Sequence, residues 1–255
     1  MGKIRLRLLA AAIASLMIIA GLIAYFSSKD AATNRFGSAK LRIRVTEPHW
    51  NNNPTIVPEQ KIDKDPYIVN TDETPAYVFM QVTVPVEAVL LEQSDGDKGK
   101  LITSESSAVD EEGNPVTLTQ AEFAVPLFRF INSSSEYTED QLSSSQLCNA
   151  GWYAMPDHPK ENKNSDNETV SLTYLYAWVG DNAGNTMAVL NPGETTDTPL
   201  FDQVIFCNAR EDDALPGSVQ HIQIEVFGIQ TEFLKSSEET ETQAEIVWQY
   251  LTKEA

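Results

Sequence analysis

The most constraining feature of this sequence is the strict two-residue alternation of residues 76–86. One set of alternate positions is wholly apolar, and the other adds aromatic side chains. The first set contains Val78, Met80, Val82 and Val84, and the second contains Tyr77, Phe79 and Thr83. Because successive side chains of a β-strand point to opposite faces, this segment carries apolar groups on both. It is predicted to be a central strand of a sheet.

Shorter segments with the same period recur along the chain. They predict strands at residues 41–45, 67–69, 121–131, 170–179, 186–190, 200–207 and 218–229. The segments between them are rich in Gly, Asn, Asp and Pro, as at residues 112–115 and 191–193. Many short strands with such turns predict an all-β domain over residues 39–255, either a β-sandwich or a barrel.

Three stretches of this domain are polar and nearly free of aliphatic strand patterning. They lie at about residues 92–114, 133–146 and 156–169. Segments of this composition between strands are typical of loops that run over the surface. They are predicted to be polar loop insertions and not domain boundaries, because strand patterning resumes on both sides.

The C-terminal end departs from the two-residue period. Ser236 and Glu239 match a capping box, which is typical of a helix start. Apolar residues then recur at helical spacing, at Ala244, Val247, Trp248 and Leu251. An amphipathic helix is therefore predicted at about residues 237–252. Its stripe is expected to pack on the edge or open end of the sandwich, with docking to another protein as the alternative.

The N-terminus has the composition of an export signal. Three basic residues, Lys3, Arg5 and Arg7, precede an uncharged apolar run at residues 8–26. Cleavage after Ala24 would make Tyr25 the first residue, so residues 1–24 are predicted to be a signal peptide and residues 25–38 a flexible N-terminal segment. The protein would then be secreted or held at the cell surface. An uncleaved membrane anchor is the alternative, because about 20 apolar residues can span a bilayer.

The charge balance excludes one class of partner. The formal net charge is −19, and removal of the three basic residues of the signal would change it to −22. A surface of this sign repels nucleic acid phosphates and anionic lipids. No nucleic acid partner is expected, and no membrane contact beyond the signal segment.

No motif for catalysis or metal binding is present in the sequence. The histidines, His49, His158 and His221, stand far apart, and none belongs to an H-E-x-x-H zinc motif. There is no G-x-S-x-G nucleophile elbow. His221 alternates with Gln223 and Glu225, which predicts a solvent-facing position. We therefore expect a non-enzyme without a cofactor. Calcium at the acidic turns of residues 95–97 and 181–185 is retained as a minor alternative, since both are also ordinary turns.

The two cysteines, Cys148 and Cys207, leave two structures open. One disulfide between them would suit an oxidising exterior. Two buried free thiols are the alternative, because small cysteine side chains are common in protein cores. The spacing alone does not decide between them.

Several short motifs occur together in one class of exported proteins. They are AYFSS at residues 24–28, ATNRF at 32–36, EPHW at 47–50, KDPYIVN at 64–70, TPAYV at 74–78 and GIQ at 228–230. With these motifs the chain resembles the proteins of Gram-positive bacteria that SipW-type signal peptidases process, the TasA/camelysin-like family. The resemblance implies a jelly-roll-like sandwich and a place in the biofilm matrix. For TasA it also implies self-assembly into fibres by strand addition. A protease activity described for camelysin is not carried over, since this chain has no zinc motif to match.

Two functions from different classes follow from the sequence. The first is an exported, non-enzymatic structural protein of the cell surface or biofilm matrix, which forms fibres by strand addition. The alternative is a surface adhesin or binding module whose polar loops recognise a host glycan or protein. A hydrolase with a dispersed site is a third hypothesis, and it has no motif in its favour.

Overall fold

The computed structural model describes residues 41–50, 58–92, 122–133, 142–209, 221–233 and 243–253. In chain order, its strands are β1 (Ile43–Thr46), β2 (Lys61–Asp63), β3 (Tyr67–Asn70), β4 (Ala76–Leu90), β5 (Glu122–Pro126), β6 (Phe128–Ile131), β7 (Trp152–Ala154), β8 (Lys160–Lys163), β9 (Thr169–Trp178), β10 (Gln203–Phe206) and β11 (Gln223–Gln230). A 3₁₀ turn, Thr231–Phe233, follows β11, and one α-helix, α1, spans Ala244–Lys253. The predicted all-β fold with a C-terminal helix is confirmed.

The strands form three sheets, and all their pairings are antiparallel. The largest has six strands in the order β11-β4-β9-β7, with β5 paired to the second half of β4 and β8 to the first half of β9. The others are a three-stranded sheet, β2-β10-β6, and a two-stranded sheet, β1-β3. Most neighbours in the sheets are distant in sequence, as is usual in a sandwich.

The larger hydrophobic core lies between the six-stranded and the three-stranded sheets. The even-numbered residues of β4 enter it, and Val78, Met80, Val82 and Val84 are fully buried there. Aromatic contacts join the two sheets. The ring of Phe130 on β6 lies 5.7 Å from that of Tyr174 on β9 and stacks at 4.2 Å on Phe201. The sandwich is thus closed by side chains of both sheets.

A second, smaller core covers the opposite face of the six-stranded sheet. Tyr77 and Phe79 of β4 contribute to it, together with Leu175 of β9. The helix α1 supplies the cover with Ala244, Val247, Trp248 and Leu251. The prediction of a central strand is therefore confirmed, and the structure adds that the first half of β4 is covered on both faces. The expected place of the helix was wrong: it packs on the outer face of the sheet and not on its edge or open end.

The helix also begins later than predicted. Among the described residues it starts at Ala244, because Gln243 forms a β-bridge with Thr186 and its carbonyl accepts the first helical hydrogen bond, from Val247. The N–H of Ala244 donates to the carbonyl of Asn185 at 2.9 Å. These tertiary bonds fix the start, which the sequence pattern placed near residue 237. Ser236 and Glu239 lie outside the described residues.

Two predicted strands differ from the structure for reasons of sheet topology. Residues 121–131 form two strands, because β5 pairs with β4 whereas β6 pairs with β10 in the other sheet. The chain bends between them at Leu127, whose N–H donates to the carbonyl of Pro85. Residues 186–190 form no strand and make only isolated bridges, at Thr186 and Leu190.

The predicted loop at residues 156–169 is largely a β-hairpin. Lys160–Lys163 form β8, which pairs with the first half of β9. Asn164 closes the turn, since its Oδ1 accepts hydrogen bonds from the N–H groups of Asp166 and Glu168, both at 2.9 Å. Polar side chains thus build this hairpin through local bonds that hydrophobic patterning does not register. Of the other two insertions, residues 93–114 and 134–141 lie outside the described part.

Replacing Trp248 by alanine tests the docking of α1. Its ring lies 5.0 Å from that of Phe79 and 5.4 Å from that of Phe227. We expect Trp248→Ala to lower the free energy of unfolding by about 2 to 4 kcal/mol, measured by chemical denaturation. The matched control is Tyr250→Ala on the same helix, because Tyr250 is 50% exposed. That variant should change stability by less than about 0.5 kcal/mol, and equal effects of the two substitutions would contradict the docking.

Candidate functional site

Several predicted sites fall outside the described residues. They are the cleavage site at Ala24 and Tyr25, the N-terminal segment at residues 25–38 and the acidic turn at residues 95–97. Within the described ranges, no helix has the length and apolarity needed to cross a membrane. Export and processing therefore stay predictions from the sequence.

The cysteines are free thiols, so the disulfide that the sequence permitted is not formed. Cys207 is buried in the larger core, and burial raises the pKa of its thiol to about 12. Cys148 is partly buried, and its sulfur lies 3.7 Å from the carbonyl of Trp152. Burial raises its pKa as well. Both therefore match the alternative of thiols that serve in packing.

The structure does not bring the histidines together. His49 bonds to Asp65, His158 precedes Pro159 across a cis peptide, and His221 is exposed beside β11 as predicted. No group of three or more His, Cys, Asp or Glu in the described part could hold a metal ion. In the turn at residues 181–185, two amide side chains support the fold, because Asn182 donates to the carbonyl of Met187 and Asn185 to the carboxylate of Glu245.

A buried cluster of charges lies where residues 47–50 meet residues 64–65. The ammonium of Lys64 contacts Glu47 at 2.7 Å and stands 4.1 Å from the centre of the Trp50 ring. The side chain of Lys64 is only 7% exposed. Beside it, the buried carboxylate of Asp65 accepts two hydrogen bonds from His49, one from Nδ1 at 2.7 Å and one from the backbone N–H at 3.1 Å.

This cluster joins separate parts of the sandwich. Glu47, His49 and Trp50 follow β1, whereas Lys64 and Asp65 follow β2. The N–H of Lys64 donates to the carbonyl of Asp202, just before β10. The cluster thus ties the two-stranded sheet to the three-stranded sheet. Its groups satisfy one another, which is the arrangement that makes a buried ion pair tolerable.

One outer edge of the sandwich is closed by a side chain. On β6, the N–H of Phe130 donates to Oε1 of Gln146, and Nε2 of Gln146 donates to the carbonyl of Phe128, both at 2.9 Å. The amide of Gln146 therefore reproduces the hydrogen bonds of a neighbouring strand. Such cover occupies two of the backbone groups through which an edge strand recruits another chain.

The edge of the six-stranded sheet at β11, which is eight residues long, is not covered in this way by the described residues. On β4, Ala76 exchanges both backbone hydrogen bonds with Leu190, on the side away from β11. Because neighbouring strand residues direct their backbone groups to opposite sides, the odd-numbered residues of β4 bond to β11. Their partners on β11 are also odd-numbered. The even-numbered residues therefore direct their N–H and C=O groups outward, at Ile224, Val226 and Gly228.

In the described part of the chain, β11 pairs only with β4. The strand β1 lies against it near Gly228, where a Cβ atom would come within 2.6 Å of the Leu41 side chain and 3.0 Å of Ile43. A side chain at position 228 would therefore require Leu41 and Ile43 to shift. Among the described residues, 223–227 remain as the open edge, and they contain no lysine, proline or bulge of the kind that protects edge strands.

The open edge is the feature that sequence reasoning missed. Residues 218–229 were identified as a strand with an exposed polar face, and this is confirmed for β11. Its position in the sheet depends on pairing with β4, which is about 140 residues away in sequence. A lack of lysine and proline was the one available signal. No family model, no curated protein and no solved structure matches the chain.

Replacing Lys64 tests the energetic role of the buried cluster. Lys64→Met leaves the carboxylate of Glu47 without its partner, so unfolding should become easier by about 3 to 5 kcal/mol. The double variant Lys64→Met/Glu47→Leu should recover most of this loss, because no buried charge is then unpaired. Lys163→Met is the control, since Lys163 and Glu161 form an exposed pair whose loss costs below about 1 kcal/mol. Urea denaturation measures all three, and a loss in the double variant as large as in Lys64→Met would contradict this role.

Proposed function

We propose that this chain is an exported, non-enzymatic structural protein of the cell surface or biofilm matrix, which joins to further copies by strand addition. The observation that carries the proposal is the open edge at residues 223–227. Main-chain hydrogen bonds supply affinity in this mode of binding, and pockets for alternate side chains fix the register.

The contacts between the open edge and the hydrophobic core support this function. Ile224 and Val226 pack against the larger core on one side of the sheet, so the strand is held in place before a partner arrives. A preorganised edge lowers the ordering cost of association. The edge at β6 is instead partly covered, because Gln146 accepts a hydrogen bond from the N–H of Phe130 and donates one to the carbonyl of Phe128.

The N-terminal segment at residues 25–38 is the proposed donor strand. Signal cleavage by a SipW-type peptidase would free this segment, and its Phe26 and Phe36 would enter apolar pockets of the neighbouring copy. The resemblance of the N-terminal motifs to exported matrix proteins supports this assignment. The alternative is that the segment is a flexible terminus, because Asn34 and Gly37 are poor strand formers.

A proline at the open edge tests the acceptor. The N–H of Val226 points outward, so Val226→Pro removes a donor from the edge while leaving the hydrogen bonds to β4 in place. We expect wild-type mature protein to form filaments in negative-stain images and Val226→Pro to remain monomeric. Val226→Ala is the matched control, because it loses the same core contact and keeps the N–H.

Light scattering over days measures the assembly, and circular dichroism checks that each variant is folded. Filaments in Val226→Pro at the rate seen in Val226→Ala would contradict strand addition at β11. A chain beginning at Ser38 assigns the donor in the same assay. If it assembles as well as mature protein, the N-terminal segment is not the donor.

The export assignment has its own test. Protein from culture supernatant should begin at Tyr25 or within about two residues of it, because the small residue Ala24 lies near the end of the apolar run, shortly before the polar segment that begins at Ser27. Intact-mass analysis of the secreted protein identifies its first residue directly. Recovery of full-length chain alone, and only from membranes, would favour the anchor.

A further inference from the structure

The outer face of the six-stranded sheet is divided into two halves. Near α1 it is apolar and covered, whereas its other half presents an array of polar side chains to solvent. We call this array the polar face, and it consists of Gln81, Thr83, Lys160, Asn162, Ser171, Thr173, Gln223 and Glu225. Register places Gln223, Thr83 and Thr173 side by side on three adjacent strands, which are spaced by about 4.8 Å.

Hydrogen bonds between the side chains hold the polar face in one arrangement. The amide nitrogen of Asn162 donates to the hydroxyls of Thr173 at 2.7 Å and Ser171 at 3.0 Å. The hydroxyl oxygens of Thr173 and Thr83 are 3.1 Å apart. On the β11 side, Gln81 and Gln223 both donate to the carboxylate of Glu225, at 3.0 and 3.1 Å. The array is therefore ordered before any ligand binds, which lowers the entropy cost of binding.

The directions of these bonds determine what the polar face offers to a partner. Asn162 uses both of its amide protons within the array, whereas Gln81 and Gln223 each use one. The amide oxygens of Gln81, Gln223 and Asn162 accept no hydrogen bond from the described residues, and the hydroxyl of Ser171 still has a proton to donate. The surface thus presents acceptors together with N–H and O–H donors, and it fits a partner whose hydroxyl groups both donate and accept.

Charge narrows the choice of partner further. The polar face contains one carboxylate, Glu225, and one ammonium group, Lys160, in a chain whose formal net charge is −19. The face itself is thus close to neutral, and the net negative charge of the chain would repel an anionic polysaccharide. We infer that the polar face binds strands of an uncharged polysaccharide, whose hydroxyl groups donate to the amide oxygens.

This activity is additional to strand addition and uses different atoms. It differs from the alternative of a binding module that recognises a glycan through its polar loops. The polar segment at residues 156–169 contributes to the face as the strand β8, with Asn162 in the array. Individual hydrogen bonds to sugar hydroxyls are weak, so we expect low affinity for a single chain and stronger binding where several copies are joined.

Affinity electrophoresis in native gels tests the inference, because the acidic chain migrates readily. The gels contain hydroxyethylcellulose, barley β-glucan or dextran as neutral probes, and polygalacturonate as the anionic probe. We expect at least one neutral probe to retard both wild-type protein and Val226→Pro, and polygalacturonate to retard neither. Retardation of Val226→Pro makes the result independent of assembly and hence of the proposed function.

Thr173→Glu places a carboxylate in the middle of the array and should weaken the apparent affinity about threefold to tenfold, the effect of one lost hydrogen bond. Asn162→Asp is an exposed, isosteric second variant with the same expected direction. Gln249→Glu on the exposed side of α1 adds the same charge elsewhere and should behave as wild type. Thermal unfolding verifies that each variant is folded.

Three results would overturn the inference. The first is no retardation of wild type or Val226→Pro by any neutral probe. The second is equal retardation of Thr173→Glu and Gln249→Glu. The third is a change in the sedimentation coefficient of Val226→Pro when Thr173→Glu is added, because the occupant of the polar face would then be a second copy.

Discussion

The structure depends on the burial of both faces of β4. This strand is fifteen residues long. From Ala76 to Val86 its even-numbered side chains enter one core, while Tyr77 and Phe79 enter another. Neither of these two sets of side chains can be exposed to water without a large loss of hydrophobic stabilisation. The three-stranded sheet covers the first face and α1 covers the second. The C-terminal helix is therefore a requirement of β4 and not an appendage, and Glu245 fixes its first turn through Tyr153 and Asn185.

Covering the faces of a sheet leaves the backbone groups at its edges without partners. At β6 the single amide of Gln146 bonds the outward N–H of Phe130 and the outward carbonyl of Phe128. At β11 the described residues contain no equivalent cover for Ile224 and Val226. The same protein thus protects one edge and leaves another available. An edge that is long, held against the core and free of lysine and proline is a site for adding a strand.

The sequence predicted those features that arise from local patterning. The two-residue alternation of apolar side chains predicted β4 and the residues on each of its faces. The helical spacing of apolar residues predicted the stripe that includes Val247 and Trp248. Features that depend on distant contacts were not predictable: the helix starts at Ala244 because of Asn185, and the strand pattern breaks at Leu127 because the chain changes sheets. The hairpin of β8 was missed since its polar side chains bond to one another. For the candidate site, the sequence located the strand at residues 218–229 and its polar side, but its place at the edge of a sheet follows only from pairing.

The edge and the polar face belong to the same strand and are compatible with each other. Backbone groups of the even-numbered residues of β11 point along the sheet, whereas the side chains of Gln223 and Glu225 stand perpendicular to it. A strand added at Val226 would therefore leave the array on the outer face uncovered. It would also extend that face by one further row of side chains. Assembly in this geometry would place the polar faces of successive copies in a repeating series, and many weak contacts to one polysaccharide then act together. Under both proposals, the position of the two features on β11 would allow a single chain to build a filament and to hold it within a matrix of neutral polymer.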